Sequence, residues 1–574
     1  MVAGEDERGR EIRTRFLRPS HGASPWHAAC LLAAVLAALV LLVPAVADAA
    51  SERTGRLLVT LEPKADTPNL DGVRRSGAQV PQIDLLSVRP TGGRALAAVA
   101  ALLRKRDGVR HVEFERRHEL RLQPNDPSLT TPETAPGTPA GTTLQWWIAR
   151  LGLPAAWDIE RGDGATVAVI DTGIDGGQPD LAGKIAKAVD NDDTPGHGAA
   201  TADENGHGTH VSSLACAAGG NGVGIVGAGL DCRLIVMKTD LSDGSIARSI
   251  VQAADLGADS INMSFGTDGS TPSPLALREA IDYAVGKGVV LVAAAADRPV
   301  EEQGDPANLL QPTGTGPDIT AGRGLSVTAA DFASRRAPFA GRGSQISLAA
   351  YGSFDQTAGP PGLIGAFPGN ITEIESGGDG LFAGPGCNCR TQIGGDQRYA
   401  YLQGTSMAAP IVAAIAAMGR NLNPDVNAAE IIRILKQTAT RPAGSGWTPE
   451  LGWGIVNAAS AMAVLASIDR SPPVSKLRGP KIVNRARSVK LRWSGRDHTV
   501  PKLKSSGVAY YEVFRSADRR PYRRIKRTKS KAFRVNVKPG SLYRFYTIAV
   551  DNAGNREAVP KQRDLAMRIR KRGG

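Results

Sequence analysis

Three residues of this chain have the side-chain types and settings that nucleophilic catalysis requires. Asp171 ends an apolar run, His207 opens a helical pattern, and Ser406 stands at the start of a strongly apolar helical pattern. A serine hydroxyl becomes a nucleophile when an imidazole takes its proton, and the imidazole needs a carboxylate to hold its tautomer and stabilise its cation. The three residue types therefore predict attack by Ser406, with His207 as general base and Asp171 as its partner.

Two other histidines near His207 are predicted to have different roles. His197 repeats the Gly-His-Gly pattern, but no apolar helix follows it, so we interpret it as a loop residue. His210 lies one helical turn beyond His207, where packing inside the helix is the more common role.

The elements that must hold these residues follow from the pattern of residues 145–470. Short β-branched runs such as TVAVI, RLIVMK and LSVTAA do not alternate polar with apolar residues, which predicts strands buried on both faces. Helical patterns separate them, so we predict an α/β domain with a mainly parallel sheet and helices on both faces. Reactive residues in such sheets collect at the carboxyl ends of the strands.

Three motifs give the chain a family resemblance. AVIDTGID, NGHGTHVSS and GTSMAAP occur in the order Asp, His, Ser, and this resembles the subtilisin-like serine peptidases (subtilases), which have that order. The resemblance implies a monomeric endopeptidase that acts on protein or peptide substrates through an acyl-enzyme on Ser406. It also implies that Ser264, Phe265 and Gly266 line the substrate cleft by pairing with an extended peptide.

The chain departs from the family at the predicted oxyanion hole, where acyl transfer needs hydrogen-bond donors. One donor is expected at the backbone N–H of Ser406. The family usually adds an asparagine after a strand, but this chain has Asp297 there. Three explanations remain open: Asp297 is protonated and donates, the insertion from Arg298 to Asp318 supplies another donor such as Asn308, or the enzyme is slow. We favour the first.

The N-terminal part is predicted to be removed during maturation. Residues 1–49 combine an arginine-rich start with an apolar run ending in a small-x-small pattern, which predicts a signal peptide and a secreted protein, either free or associated with the cell surface. An uncleaved membrane anchor is the alternative. Residues 50–122 resemble the family's inhibitor and chaperone propeptide, of small α+β type, although a separate interaction domain would fit too. Residues 123–144, rich in Pro, Thr and Gly, are predicted to be a linker.

Four cysteines remain beyond the signal peptide, which suits disulfide formation outside the cell. Cys216 and Cys232 are the favoured pair, whereas Cys387 and Cys389 leave a local bridge and separate partners equally open. No four-ligand Cys/His spacing favours a metal site instead.

The resemblance also implies a structural calcium ion, the only cofactor expected. Asp180 and Asn221 fall on the positions of one family site, with backbone carbonyls near Gly219, Val223 and Ile225 completing a set of oxygen ligands. The alternative is an ordinary turn, with Asp180 as a cap and Asn221 in a left-handed bend. No further side-chain ligand is evident near the mature N-terminus.

Charge separates the C-terminal part from the rest. The whole chain has a net charge of +13, but residues 471–574 hold 29 basic and 6 acidic side chains, a balance of +23. Short alternating strands there predict an all-β sandwich of fibronectin type III or immunoglobulin-like type. Its charge suits an anionic cell wall or membrane surface, or merely solubility; nucleic acid is not an expected partner.

A second function remains open from the sequence. A catalytically impaired subtilase fold could serve as a peptide-binding or adhesion protein, and Asp297 is the residue that favours it.

Overall fold

The computed structural model describes residues 53–62, 71–116, 124–355, 357–378, 384–442 and 444–571 of the 574. The chain divides into two compact units, Met1–Arg121 and Leu122–Gly574. The predicted signal peptide at 1–49 lies outside the described residues. Across the described ranges, none of the helices combines the length and apolar composition that crossing a bilayer requires.

The first unit contains a four-stranded sheet of order β2-β3-β1-β4, with neighbours antiparallel. Its elements are β1 (Arg53–Leu61), β2 (Val73–Val80), β3 (Leu85–Pro90), α1 (Leu96–Leu103) and β4 (Val109–Arg116). Leu57, Val59 and Val112 pack with the helix residues Val99 and Leu103 in one small core. This sheet and helix agree with the small α+β type expected for residues 50–122, although nothing in the sequence pointed to strands at β2 and β3. The run VRRSGAQV in β2 is too polar to register as a strand.

The second unit is built on a seven-stranded parallel sheet of order β11-β10-β9-β8-β5-β7-β6. Its strands are β5 (Thr166–Asp171), β6 (Ile185–Asn191), β7 (Arg233–Thr239), β8 (Ser260–Met263), β9 (Val290–Ala294), β10 (Leu325–Ala330) and β11 (Leu348–Tyr351). The five central strands match the predicted apolar runs and are buried almost throughout. This confirms the predicted α/β fold class.

Helices cover both faces of the sheet. Adjacent strand residues point to opposite sides, and consecutive residues of the central strands are buried, so each face is covered by a layer of helices. They are α2 (Trp147–Arg150), α3 (Leu153–Trp157), α4 (His207–Cys216), α5 (Asp243–Asp255), α6 (Leu275–Gly286), α7 (Ala307–Leu310), α9 (Thr405–Leu422), α10 (Ala428–Thr438) and α11 (Ala458–Ser467), with α8 (Glu373–Ser376) in an insertion. On one face α4 and α9 pack against Val167 and Val169; on the other α5 and α6 pack against Ala168 and Ile170.

Residues 124–144, predicted to be a linker, instead pack against this α/β domain. Asp126 and Ser128 are fully buried, and the Ser128 hydroxyl donates to Gln145 at 2.6 Å. Tyr401 donates to Glu133 at 2.6 Å. The segment lacks periodicity because side-chain hydrogen bonds rather than an apolar stripe hold it in place.

The insertion from Phe354 to Ala400 forms a small antiparallel sheet of order β12-β16-β15. The strands of this sheet are β12 (Leu363–Ala366), β15 (Arg390–Ile393) and β16 (Asp396–Leu402), while β13 (Gly377–Gly378) and β14 (Gly384–Pro385) form a separate two-stranded sheet. Cys387 is bonded to Cys389 there, and in the main domain Cys216 is bonded to Cys232.

The C-terminal region forms two facing sheets, of order β17-β19-β22 and β18-β24-β23-β20-β21. The strands are β17 (Val474–Arg478), β18 (Ile482–Asn484), β19 (Ser488–Arg496), β20 (Val508–Ala517), β21 (Arg523–Thr528), β22 (Ala532–Asn536), β23 (Leu542–Asp551) and β24 (Leu565–Arg570). Leu491 and Trp493 of one sheet share a core with Val513 and Phe545 of the other. This agrees with the predicted β-sandwich.

Candidate active site

The candidate residues lie at the ends of rigid elements along the carboxyl edge of the parallel sheet. Asp171 is the last residue of β5, and Ser264 follows β8 directly. His207 is the first residue of α4, and Ser406 is the second residue of α9. Parallel strands place their carboxyl ends at one edge, so elements far apart in sequence converge there.

The imidazole of His207 is held by Asp171. Nδ1 of His207 lies 2.8 Å from Oδ1 of Asp171, and both side chains are almost completely buried. Burial alone would lower the pKa of His207, but the Asp171 carboxylate, aided by Asp203, raises the pKa above its ordinary value. The arrangement favours the tautomer with a proton on Nδ1, so Nε2 is the nitrogen suited to accept a proton in catalysis.

Two glycines permit this close approach of helix and strand. Gly173 has φ +113°, and a Cβ there would lie 2.5 Å from the carbonyl oxygen of Ala202. A Cβ on Gly208 would lie 2.2 Å from the carbonyl oxygen of Gly173. A side chain at Gly208 would push α4 away from the end of β5, and one at Gly173 would displace the loop that leads into α4. Either change would disturb the contact between His207 and Asp171.

Asp203, which was not identified from the sequence, links the start of α4 to the residue that follows β5. Its carboxylate accepts from the Thr172 hydroxyl at 2.9 Å, from the Gly206 N–H at 2.9 Å, and from the N–H and hydroxyl of Thr209 at 2.8 and 2.6 Å. The side chain is fully enclosed, and this burial raises its pKa. An acid four residues before a helix-opening histidine was the available sequence signal, since acids favour helix starts.

Ser406 stands in the first turn of α9, where backbone N–H groups have no partner within the helix. In this structure its hydroxyl donates to the carbonyl oxygen of Ser264 at 2.9 Å, while the Ser264 hydroxyl donates to the carbonyl oxygen of Ser406 at 2.9 Å. The serine is therefore anchored against the end of β8, with its hydroxyl turned toward that strand.

One cavity of about 290 Å³ joins these groups. Its wall includes the following residues: Asp171, His207, Leu241, Ser264, Phe265, Gly266, Thr267, Ala294, Ala295, Ala296, Asp297, Arg298, Gly304, Thr405 and Ser406. Acid, imidazole and hydroxyl thus face one space. Asn308 is absent from this wall, as are the described residues of the 354–400 insertion, so neither contributes to the cavity.

Asp297 lies at the N-terminus of α9. Its Oδ1 accepts from the Thr405 N–H at 2.7 Å and from the Thr405 hydroxyl at 3.0 Å. The residue as a whole is exposed, but the cavity wall surrounds its carboxyl group, and this burial raises the pKa of Asp297 although Thr405 and His207 act to lower it. A protonated carboxyl can accept at one oxygen while donating from the other.

The histidines assigned other roles lie outside the cavity wall. His210 is fully buried; its Nε2 contacts the carbonyl oxygens of Leu363 and Ala400 at 3.1 and 3.2 Å, and burial lowers its pKa to about 3. His197 is a loop residue with Nδ1 2.6 Å from Asp192. His210 fastens α4 to the insertion.

A pair of buried acids lies beside the predicted calcium position. Asp180 is fully buried and accepts from the Tyr399 hydroxyl at 2.8 Å, and its pKa is raised to about 6, chiefly by burial and also by repulsion from Asp126. Asn221 lies 3.5 Å from Asp180. Among the described residues, Oδ1 of Asp126 is buried with no hydrogen-bond partner. Two enclosed carboxylates, one with an unpaired oxygen, fit a hard cation.

The sequence analysis did not identify Asp126, because it lies in the segment interpreted as a linker. Its Oδ2 accepts from the Gly220 N–H at 2.7 Å, which connects residues 124–144 to the loop containing Asn221. Asp126 is therefore a buried acidic side chain near the start of the α/β domain, where the sequence showed no further candidate ligand.

Comparison with known proteins agrees with the motifs. A family model described as "Subtilase family" matches residues 162–454. Thermitase of Thermoactinomyces vulgaris is 31% identical over 321 residues, which cover 54% of this chain and 94% of thermitase. Subtilisin BL of Lederbergia lenta is 31% identical over 326 residues, covering 56% of this chain and 98% of that protein.

Two further matches, one over a longer stretch of sequence and one to a solved structure, have lower sequence identity. Fervidolysin of Fervidobacterium pennivorans is 29% identical over 414 residues, covering 67% of this chain but only 54% of fervidolysin. A solved protease structure from Pseudoalteromonas arctica is 27% identical and covers 58% of this chain and 100% of its own, with a TM-score of 0.45.

Proposed function

The chain belongs to the subtilase family of serine peptidases, and we propose that it is a secreted endopeptidase that cleaves peptide bonds through an acyl-enzyme on Ser406. The observation that carries the proposal is the buried 2.8 Å contact between Asp171 and Nδ1 of His207, facing the cavity that Ser406 also lines. Its substrates are proteins or peptides.

The reaction begins with the release of the Ser406 hydroxyl from the Ser264 carbonyl. Rotation about the Cα–Cβ bond turns Oγ toward Nε2 of His207, which takes the proton as Oγ attacks the substrate carbonyl carbon. Asp171 stabilises the imidazolium, and the raised pKa of His207 reflects that stabilisation. His207 then protonates the leaving amine, and a water molecule repeats the sequence to release the acid.

The oxyanion is proposed to receive two hydrogen bonds, one from the Ser406 N–H and one from protonated Asp297. The contacts of Asp297 support this: Oδ1 accepts from Thr405, which leaves Oδ2 to carry the proton. An ionised carboxylate in the same place would repel the developing charge.

Substrate is proposed to bind as an added strand along Ser264, Phe265 and Gly266, which all line the cavity. Backbone pairing of this kind gives affinity without demanding a sequence, and side-chain selection then depends on the cavity next to Ser406.

Maturation is proposed to remove residues 1–49 as a signal peptide and 50–122 as an inhibitory propeptide cut by the enzyme itself. The small antiparallel sheet with one helix supports a separately folded N-terminal unit. Mass spectrometry of the secreted protein tests this, since mature wild-type protein should start near residue 123 and a Ser406→Ala variant should keep its propeptide.

A structural calcium ion is proposed beside Asp126, Asp180 and Asn221, supported by the unpaired buried oxygen of Asp126. The ion would neutralise two enclosed carboxylates and so stabilise the fold. We expect chelation to lower the melting temperature of the Ser406→Ala protein by several degrees, with calcium restoring it. An Asp126→Asn variant should lose that response; an undiminished response would place the ion elsewhere.

The alternative, a peptide-binding protein with impaired catalysis, rests on Asp297. Casein hydrolysis from pH 4 to 9 by the mature protein, with Ser406→Ala and His207→Ala as controls, separates the two. We expect hydrolysis by wild type alone. Binding of casein without cleavage at any pH would favour the alternative.

A further inference from the structure

The C-terminal sandwich, residues 471–574, uses its few acidic side chains internally. Five of the six accept hydrogen bonds from backbone N–H groups of the sandwich: Asp497, Asp518, Asp551, Glu557 and Asp564. Among the described residues, only the sixth, Glu512, forms ion pairs, with Arg524 and Arg556. The acids hold loops and strand ends in place, and because they number 6 against 29 basic side chains, they neutralise little of the basic charge.

The basic charge is densest in residues 519–538, which we call the cationic band. This stretch contains β21, β22 and the adjoining turns, and it holds ten basic residues and no acidic ones. All ten are exposed: Arg519, Arg520, Arg523, Arg524, Lys526, Arg527, Lys529, Lys531, Arg534 and Lys538.

The band forms one side of the sandwich. β21 is the edge strand of the five-stranded sheet, and β22 is the edge strand of the three-stranded sheet. Successive strand residues point to opposite faces, and both Arg523–Arg524 and Lys526–Arg527 are exposed pairs. Basic side chains therefore project from both faces of this edge strand, which is about 20 Å long for its six residues.

Ring contacts limit the freedom of two of these cations. The Arg527 guanidinium lies 3.8 Å from the centre of the Tyr510 ring, and the Lys526 ammonium lies 5.5 Å from the centre of the Phe533 ring. Cations held in this way lose less entropy when they bind an anion.

We propose that the cationic band binds a linear anionic polysaccharide. A flexible chain bearing regularly spaced sulfate or carboxylate groups can follow an edge and contact cations on both of its faces. The positive charge not neutralised within the sandwich provides the attraction, which would be strong at low salt and screened at high salt.

Other polyanions fit the band less well. A bilayer is flat and reaches one side of an edge, so cations on the other side would point away from it. Single-stranded nucleic acid binds through exposed aromatic faces. The two aromatic residues of the band are already engaged, since Tyr522 packs against Tyr546 with ring centres 4.8 Å apart and Phe533 lies beneath Lys526.

Edge strands also carry basic residues simply to prevent sheet-to-sheet aggregation, so the test must separate binding from mere charge. The full-length Ser406→Ala protein is titrated with fluorescently labelled heparin, with single-stranded oligothymidylate, and with phosphatidylcholine vesicles containing phosphatidylserine. A band variant carries Arg523→Gln, Lys526→Gln, Lys529→Gln and Lys531→Gln.

A matched control removes four charges at the opposite side of the sandwich, which β17, β18 and β24 form. It carries Lys476→Gln, Arg478→Gln, Lys481→Gln and Arg570→Gln, so both variants have the same net charge. Equal melting temperatures and circular dichroism spectra verify that both are folded.

We expect heparin to bind more tightly than the oligonucleotide or the vesicles at equal salt. The band variant should bind heparin at least about tenfold more weakly, with a shallower salt dependence, and the control should differ from the parent by less than about threefold. If both variants lost heparin affinity equally, net charge alone would explain the binding, and the proposal would be overturned. Absent heparin binding, or tighter binding to vesicles or oligonucleotide, would also overturn it.

Discussion

The residue that most distinguishes this active site is Asp297. Its carboxyl group occupies the N-terminus of the helix that carries Ser406, and burial raises its pKa. A neutral acid at this point can donate to an oxyanion, whereas an ionised one would oppose it. The activity of the enzyme is therefore expected to depend on two titrations with opposite signs.

An Asp297→Asn variant tests this dependence. His207 must be neutral to accept a proton, so activity rises as pH increases through its pKa; Asp297 must be protonated to donate, so activity falls as pH increases through its own. Asparagine donates at every pH, so the variant should lose the falling limb and exceed wild type at alkaline pH, by up to about 10²-fold in kcat, a magnitude known for such a donor in subtilisin. Parallel pH profiles would contradict the assignment.

Arg298 is expected to select the side chain next to the scissile bond. Among the described residues, it is the one basic side chain besides His207 in the cavity wall, which also includes Ala294–Ala296, Phe265 and Thr267. A glutamate side chain entering there would pair with the guanidinium, while a lysine would be repelled.

We expect wild type to prefer glutamate over lysine at this position by about tenfold in kcat/KM, and Arg298→Glu to reverse the order. Peptides with leucine there should be cleaved similarly by both enzymes, which controls for general damage. An unchanged ratio of glutamate to lysine would remove Arg298 from substrate selection.

At the scale of elements, the start of α4 depends on Asp203. This carboxylate joins the N–H groups of Gly206 and Thr209 to Thr172, which follows β5. It acts on His207 by fixing the helix that carries it, so it is a positioning residue.

Replacement of Asp203 by alanine leaves buried donors unpaired and should destabilise the protein by about 1–3 kcal/mol. We also expect kcat to fall at least about tenfold with KM nearly constant, because substrate contacts are intact while His207 loses its orientation. Asp193→Ala, in the same acidic loop but exposed, is the matched control. A loss of stability with kcat unchanged would leave Asp203 a structural role only.

Prediction from sequence succeeded where elements are apolar and failed where they are polar. The five central strands were predicted because they are buried on both faces. β6, with the sequence IAKAVDN, is half exposed at the sheet edge, and β12 to β15 of the insertion have only two to four residues each. Asp171, His207 and Ser406 lie in long motifs, whereas Asp126 and Asp203 act only through contacts that folding creates.

At the scale of the whole molecule, the C-terminal sandwich packs against the peptidase domain through side-chain contacts. Lys502 lies 2.8 Å from Glu160, whose side chain is 1% exposed, and it also donates to the carbonyl oxygen of Asp163. Leu503 packs against the main core of the α/β domain. The two domains therefore contribute to each other's stability.

A Lys502→Met variant should lower the free energy of unfolding by about 1–3 kcal/mol, because Glu160 then remains buried without its cation. The Glu160→Gln/Lys502→Met double variant should recover most of that loss, since glutamine is uncharged. Thermal unfolding in the Ser406→Ala background measures both, with Lys561→Met as an exposed control. Equal stability of the single variant and the control would refute the coupling.

Peptide cleavage by this molecule requires the activation of Ser406 by His207 above all else. Treatment of the mature protein with phenylmethanesulfonyl fluoride, followed by peptide mapping in a mass spectrometer, reports that activation directly. We predict one sulfonyl group on Ser406 with matching loss of hydrolysis, and at most trace labelling in His207→Ala. Absence of the label from Ser406 in an enzyme that still cleaves casein, or equal labelling without His207, would contradict the mechanism.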